Sequence, residues 1–177
     1  MLDQILTKRE KVNGQVWNVS TGLIPKQFDY SSGIINSGDS FRIDEGVVEA
    51  KVKFNADQSV TNAFSLTGSV PMPQIDVFRS GKDSVAFGIT DQKNKGLSKK
   101  YKRIYGLNFD QFHVFRLEMF NNRLIWKING KQVHSEQFSH NGGMFLNFVS
   151  SLHETVNNNV IPHRFEIDWV RCYEKRN

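Results

Sequence analysis

Alternation of apolar and polar residues limits this chain more than any other feature. Along Gly46–Phe54, Val48, Ala50, Val52 and Phe54 take every second position, with Glu49, Lys51 and Lys53 between them. Successive side chains of an extended strand point to opposite faces, so this spacing buries one face and wets the other. The same period runs through His113–Met119, where Phe115, Leu117 and Met119 alternate with Val114, Arg116 and Glu118, and on through Leu124, Trp126 and Ile128. Asn129-Gly130 separates that run from Lys131–Gln137. Both residues accept the positive φ of a type I′ turn, which predicts a tight hairpin. Further strands are predicted at Gln15–Val19, Gly33–Asn36, Ala63–Thr67, Gln74–Arg79, Ser84–Ile89, Met144–Ser150 and Arg164–Tyr173, the last with Phe165, Ile167 and Trp169 on one face. No long stretch keeps helical periodicity. About a dozen short strands with frequent turn signals imply an all-β sandwich or barrel. Thr90–Gln111 is polar and reads as an irregular insertion, and Asn157–Asn159 as a polar turn.

The 177 residues suit a single β-sandwich domain spanning 1–177. Fourteen phenylalanines against four prolines favour an aromatic, β-rich core over disorder. Cys172 is the one cysteine, so neither an intrachain disulfide nor a CxxC zinc pattern can form, and it reads as a small buried apolar group. His113, His134, His140, His153 and His163 offer no i, i+2 or i, i+4 pair, so no metal site is expected. Nothing approaches the ~20 apolar residues of a membrane-spanning helix. Met1-Leu2-Asp3-Gln4 opens no basic-then-apolar export signal.

The net charge of +5 is unevenly spread. Lys93, Lys95, Lys99, Lys100, Lys102 and Arg103 crowd one segment, with Tyr101 and Tyr105 interleaved. Such a run is either a solvated surface or a basic, aromatic lip for an anionic ligand. No nucleic-acid-binding motif accompanies it, so nucleic acid is not the expected partner. Gly38-Asp39-Ser40 reads as a plain turn rather than an esterase nucleophile, because no suitably placed Asp-x-x-His follows near the C-terminus.

An ordered set of segments resembles glycoside hydrolase family 16, the laminarinase and licheninase type of concanavalin A-like jelly roll. Tyr30-Ser31-Ser32-Gly33-Ile34-Ile35-Asn36-Ser37 is similar to its opening Ser-Gly-x-Ile strand. Phe41 with Gly46-Val47-Val48-Glu49-Ala50-Lys51-Val52-Lys53 resembles its Gly-x-x-Glu-Ala-Arg-x-Lys strand, and Asn62-Ala63-Phe64-Ser65-Leu66 its Pro-Ala-Phe-Trp-Leu. His113–Glu118, Leu124–Gly130 and Phe165–Tyr173 match later strands in order and spacing, so the likeness covers about 30–173. It implies a sandwich of two antiparallel sheets, a polysaccharide or oligosaccharide partner and a secreted, periplasmic or cell-surface location. The family also includes structural calcium sites of backbone carbonyls and an Asp. The resemblance leaves room for such a structural calcium, which no sequence motif would mark, and no other cofactor is expected.

Gln74-Ile75-Asp76-Val77-Phe78-Arg79 falls where the family carries its catalytic strand, Glu-hydrophobic-Asp-hydrophobic-Glu, with or without one extra hydrophobic residue before the last Glu. The first Glu is the family's nucleophile and the last its acid/base, and retaining hydrolysis needs those carboxyls ~5–5.5 Å apart. Here Gln74 holds the first position, and the last is Phe78 without a bulge or Arg79 with one. Only Asp76 matches. Ser65 stands where a sugar-stacking Trp is usual.

The preferred reading is therefore a catalytically degenerate glycosidase-like domain that binds a polysaccharide, anionic if the basic lip faces the cleft. Gln74, Asp76, Arg79, Ser65, Phe64, Phe87 and Phe148 are the candidate binding residues. One alternative is an active hydrolase pairing Asp76 with an acid such as Asp83 or Asp91, with Glu49 and Glu118 as other strand-borne acids. Another is a structural or protein-interaction sandwich whose cleft is filled by its own side chains.

Overall fold

The computed structural model describes residues 3–38, 40–55, 57–70, 72–93, 96–140, 142–153 and 161–174. Asp39, Lys95 and Asn157–Asn159 lie outside the described residues. The strands are β1 (Asp3–Asn18), β2 (Gly22–Ser31), β3 (Ile34–Asn36), β4 (Gly46–Phe54), β5 (Val60–Thr67), β6 (Gln74–Ser80), β7 (Ser84–Lys93), β8 (Gly96–Tyr105), β9 (His113–Phe120), β10 (Arg123–Ile128), β11 (Lys131–Gln137), β12 (Phe145–Leu152) and β13 (His163–Glu174). Seven form a sheet in the order β11-β10-β9-β4-β13-β1-β2, and six form a second in the order β3-β12-β5-β6-β7-β8. Neighbours pair antiparallel throughout, and the two sheets stack as a jelly-roll sandwich.

Alternation builds the core as the spacing implies. Val48, Ala50, Val52 and Phe54 turn inward with Phe115, Leu117, Met119, Leu124, Trp126 and Ile128. The six-stranded sheet answers with rings. Phe64 stacks on Phe148 at 4.3 Å, and Phe78 packs on Phe115 at 4.4 Å and on Phe54 at 5.4 Å. Asn129 and Gly130 have φ of 50° and 80° and close the β10–β11 hairpin as predicted.

The outer face of the seven-stranded sheet carries paired charges. Lys51 reaches Asp168 at 2.7 Å and Lys53 reaches Glu166 at 2.9 Å. Arg116 bridges Glu49 at 3.2 Å and Glu118 at 2.8 Å. Glu49 and Glu118 thus serve this lattice on the sheet opposite Asp76. Solvated pairs of this kind add no more than about 1 kcal/mol each.

Three expectations are corrected. Thr90–Gln111 is not an irregular insertion: β7 continues to Lys93, and β8 pairs along its full length. As an edge strand, β8 carries charge on both faces, so it lacks the apolar period that marks a strand. Trp169 does not share a face with Phe165 and Ile167. The register shifts between Ile167 and Trp169, and a bulge reverses which face each later side chain takes. Trp169 lies opposite Lys51, with the Arg171 guanidinium 4.2 Å from its ring centroid. Finally, Gln15–Val19 is only the end of a much longer strand, and Val19 sits in the turn beyond it. Cys172 is half-buried against the core edge, where burial and then the charge of Glu174 push its thiol up to about 11.

A polar cluster sits under this core. Buried His163 meets the Asn62 side chain through Nε2 at 2.9 Å. With the amide donating, the ring proton resides on Nδ1. Burial lowers the His163 pKa, and the charge of Asp57 only partly opposes it. The unfolded chain, with an ordinary His pKa of about 6.5, therefore takes up this proton before the folded one does. Stability is expected to fall as pH drops below that value. In denaturant titrations between about pH 7 and 5, His163→Gln should flatten that slope.

Candidate functional site

β6 crosses the middle of the six-stranded sheet. Its register with β5 runs Thr67↔Gln74, Leu66↔Ile75 and Ser65↔Asp76, then shifts, resuming at Phe64↔Phe78 and Ala63↔Arg79. The same break appears against β7. Val77 is the extra residue of a bulge, which sends Val77 and Phe78 together into the core and turns Arg79 outward beside Asp76. Of the two arrangements the sequence allows, the structure has the bulged one. Arg79 holds the final outward position, and Phe78 is fully buried in the ring cluster.

A bulge frees a backbone carbonyl from the ladder, and a buried carbonyl needs a donor. The indole Nε1 of Trp126, on the opposite sheet, donates to the Asp76 carbonyl at 2.9 Å. The Asp76 carboxylate is 0 % exposed. Gln74 Nε2 donates to its Oδ1 at 2.7 Å, while Arg79 Nε at 2.9 Å and Tyr101 Oη at 2.7 Å donate to its Oδ2. Burial works against the Arg79 charge, but the charge and hydrogen bond of Asp76, helped by Tyr101, outweigh it and hold the guanidinium above its ordinary range. Burial first, and the Asp76 charge second, push the Tyr101 phenol up to about 12, so it stays a donor.

Tyr101 reaches Asp76 from two strands away because Gly88 stands between them. Asp76, Gly88 and Tyr101 are aligned across β6, β7 and β8. Gly88 has φ of 153°, and a Cβ there would lie 2.0 Å from the Lys100 carbonyl oxygen. Only glycine fits, and the bare backbone leaves a lane for the phenol. The register also sorts the basic cluster. Lys99, Tyr101, Arg103 and Tyr105 share the face of Asp76. Lys100 and Lys102 point the other way, Lys100 bonding Glu136 of β11 at 2.6 Å.

Beside this cluster lies an open groove of about 280 Å³ across β12, β5 and β6. Its wall sets neutral hydrogen-bonding groups, among them Thr61, Ser65, Thr67, Gln74 and Asn147, beside apolar Ala63 and Val149, with Arg79 at one end and Ile34 at the other. Among the described residues lining it there is no Asp or Glu. Asp91 faces away beside Ser98 and Lys100, and Asp83 sits in the exposed β6–β7 turn, so neither pairs with Asp76 over the groove. Asp44 and Glu45 line a separate hollow near the β9–β10 turn. No three His, Cys, Asp or Glu side chains among the described residues converge to hold a metal ion.

Gln74, Ser65 and Arg79 line the groove, and Asp76 lies beneath its edge. Phe64, Phe87 and Phe148 are corrected: at 0, 0 and 4 % exposure they are core rings, pointing away from the groove. Tyr101 and Tyr105, at 38 and 66 % exposure, are the aromatic groups on the groove's own face. Asn147 is a wall residue that no motif in the chain marks. Its amide donates to Thr67 Oγ1 at 2.9 Å and accepts from Asn36.

By sequence alone, the chain matches no protein-family model and no curated protein. Its fold is similar to that of solved glycoside hydrolase family 16 enzymes. The kappa-carrageenase of Pseudoalteromonas carrageenovora, in complex with an oligotetrasaccharide of kappa-carrageenan, aligns with a TM-score of 0.78 and 17 % identity, covering 97 % of this chain and 79 % of that one. The laminarinase catalytic domain of Thermotoga maritima gives 0.78 and 19 %, covering 98 % and 78 %. A Bacteroides ovatus family 16 protein of a mixed-linkage glucan locus, in complex with its product, gives 0.71 and 16 %, covering 96 % and 80 %. The concanavalin A-like jelly roll is therefore the class of this domain.

Asp76→Asn removes the charge that both Arg79 and Tyr101 face. It is expected to cost about 2–4 kcal/mol in denaturant unfolding, the partly exposed Arg79 contributing the smaller share. In a spectrophotometric titration of the folded variant, Tyr101 should ionise below its wild-type value of about 12. Gly88→Ala should lower stability by at least about 2 kcal/mol, as β8 is forced off β7.

Proposed function

We propose that the groove holds a segment of polysaccharide without cleaving it. The observation that carries this reading is the state of Asp76: the acid of the β6 strand is sealed from solvent and saturated by three donors, one of them the Arg79 guanidinium. Glycosidic cleavage by a carboxylate pair needs one acid with a proton to give and a second carboxylate as nucleophile or base. Gln74 is a neutral amide, and an arginine keeps its proton at any working pH. Tyr101 lies against the Asp76 carboxylate and donates to it. What stays open is a wall of hydroxyls and amides interspersed with small apolar side chains, a surface suited to the hydroxyls and ring faces of a sugar.

The charge on the β8 side narrows the ligand. Lys99 and Arg103 stand on the groove face with Tyr101 and Tyr105, so the lip presents cations between aromatic rings. Sulfated or carboxylated sugar units suit it better than neutral ones. That the solved relatives of this fold include a carrageenan complex and a mixed-linkage glucan complex supports a glycan as the ligand. A polysaccharide ligand in turn favours a working place outside the cell or at its surface.

Native gels cast with kappa-carrageenan or with mixed-linkage glucan test this directly. The protein should be retarded more by kappa-carrageenan, and added salt should reduce the retardation. Lys99→Ala and Arg103→Ala should each weaken binding about tenfold, equivalent to ~1.4 kcal/mol. Undiminished retardation of a Gln74→Ala, Arg79→Ala, Arg103→Ala variant would remove the groove as the binding site.

A further inference from the structure

β1 belongs to the sandwich only through Asp3–Thr7, which pair with β13. From Lys8↔Ser31 to Asn18↔Gly22 it pairs with β2 alone, and β2 pairs with no other strand. The result is a two-stranded arm roughly 35 Å long. Its faces differ. On one, Val12, Val16, Ile24 and Phe28 are half-buried, the Phe28 ring lying over Gly14 with the Lys26 amine 5.3 Å from its centroid. That face is covered by its own side chains. On the other, Asn13, Gln15 and Trp17 stand opposite Gln27, Pro25 and Leu23, all exposed, with Trp17 at 72 % and Leu23 at 60 %. The six residues around Trp17 carry no charge; the charged residues of that face, Glu10 and Asp29 among them, lie nearer the sandwich, where Glu10 accepts from Ser31.

A two-stranded ribbon is only marginally stable by itself, so a large exposed indole on it points to a ligand. The chemistry selects which one. Anionic lipid and nucleic acid need clustered cations; the patch around Trp17 has none, and Glu10 and Asp29 further along the face are acids. Edge-to-edge pairing with a second copy is blocked on β2, where Pro25 lacks an N–H and Lys26 and Asp29 flank the strand. A planar indole flanked by amides suits a pyranose ring, whose C–H face stacks on the aromatic while its hydroxyls meet Gln15, Asn13 and Gln27. The arm also starts at the groove. β2 passes through Ser32 and Gly33 straight into β3, whose Ile34 lines the groove. Ser32 Oγ donates to the Ser150 carbonyl at 2.6 Å, the Gly33 carbonyl accepts from Ser150 N–H at 3.1 Å, and Thr7 Oγ1 contacts both hydroxyls.

We propose that the Trp17 face of the arm is a second saccharide-binding surface, taking the uncharged ring faces of a polysaccharide beyond the segment held in the groove. It rests on the glycan-binding reading of the groove, and the test separates the two. The full chain and its Trp17→Ala, Trp17→Phe and Arg103→Ala variants are compared for affinity to polymeric kappa-carrageenan and to its tetrasaccharide. Trp17→Ala should lose about tenfold for the polymer and nothing for the tetrasaccharide, and Trp17→Phe should recover most of the loss. Arg103→Ala should weaken both. Polymer should also shield wild-type tryptophan emission from acrylamide, with no such shielding in Trp17→Phe, because Trp126 is buried and Trp169 lies under Arg171. If Trp17→Ala binds polymer like wild type while Arg103→Ala does not, the arm proposal falls and the groove stands. If the wild type binds neither probe, both fall. If Trp17→Ala instead converts a sedimenting dimer to a monomer, the face belongs to self-association and the proposal is wrong.

Discussion

A carboxylate buried in a protein must be given donors, and the way Asp76 gets them organises this molecule. The extra residue Val77 brings Arg79 to its side, Gly88 clears the path for Tyr101, and Gln74 takes the remaining oxygen. The same bulge strands a main-chain carbonyl, which Trp126 reaches across the core. One acid thereby links β6 to β8 within its sheet and to β10 in the other. Removing any of these donors leaves a buried group unsatisfied, a larger penalty than the loss of an ordinary surface contact.

The arrangement also fixes what the groove is able to do. Asp76, Arg79 and Tyr101 are engaged with one another, and what faces the open trough is hydroxyl, amide and, along β8, cation and phenol. On the proposed reading, such a surface hydrogen-bonds a chain of hydroxylated rings rather than breaking one. The jelly-roll scaffold itself is shared with solved enzymes 17 and 19 % identical to this chain, and a shared scaffold does not by itself fix the chemistry done on it.

Much of the fold was legible. Strands with one wet and one dry face, such as β4, β9 and β10, announce themselves by alternation, and Asn129-Gly130 by its turn geometry. The bulges were not legible. Gln74–Arg79 permits either Phe78 or Arg79 at the last outward position, and only pairing with β5 decides between them. The unseen bulge at Asp168 likewise sent Trp169 to the wrong face. Phe64, Phe87 and Phe148 look like groove aromatics until the phase of their strands is known, because a ring is equally at home in a core. β8 hid for the opposite reason: Lys99–Tyr105 alternates charge with charge, and no hydrophobic period betrays it. Once paired with β7, that stretch supplies Tyr101 and the cationic face.

The central claim is that polysaccharide occupies this groove intact. The most direct measurement is prolonged incubation of concentrated protein with kappa-carrageenan and with mixed-linkage glucan, followed by mass spectrometry and counting of new reducing ends. Chain-length distributions identical to a protein-free control, from samples in which the protein co-elutes with the polymer, are the expected result. Oligosaccharides that accumulate with time, and that vanish when Asp76 is changed to Asn, would contradict it.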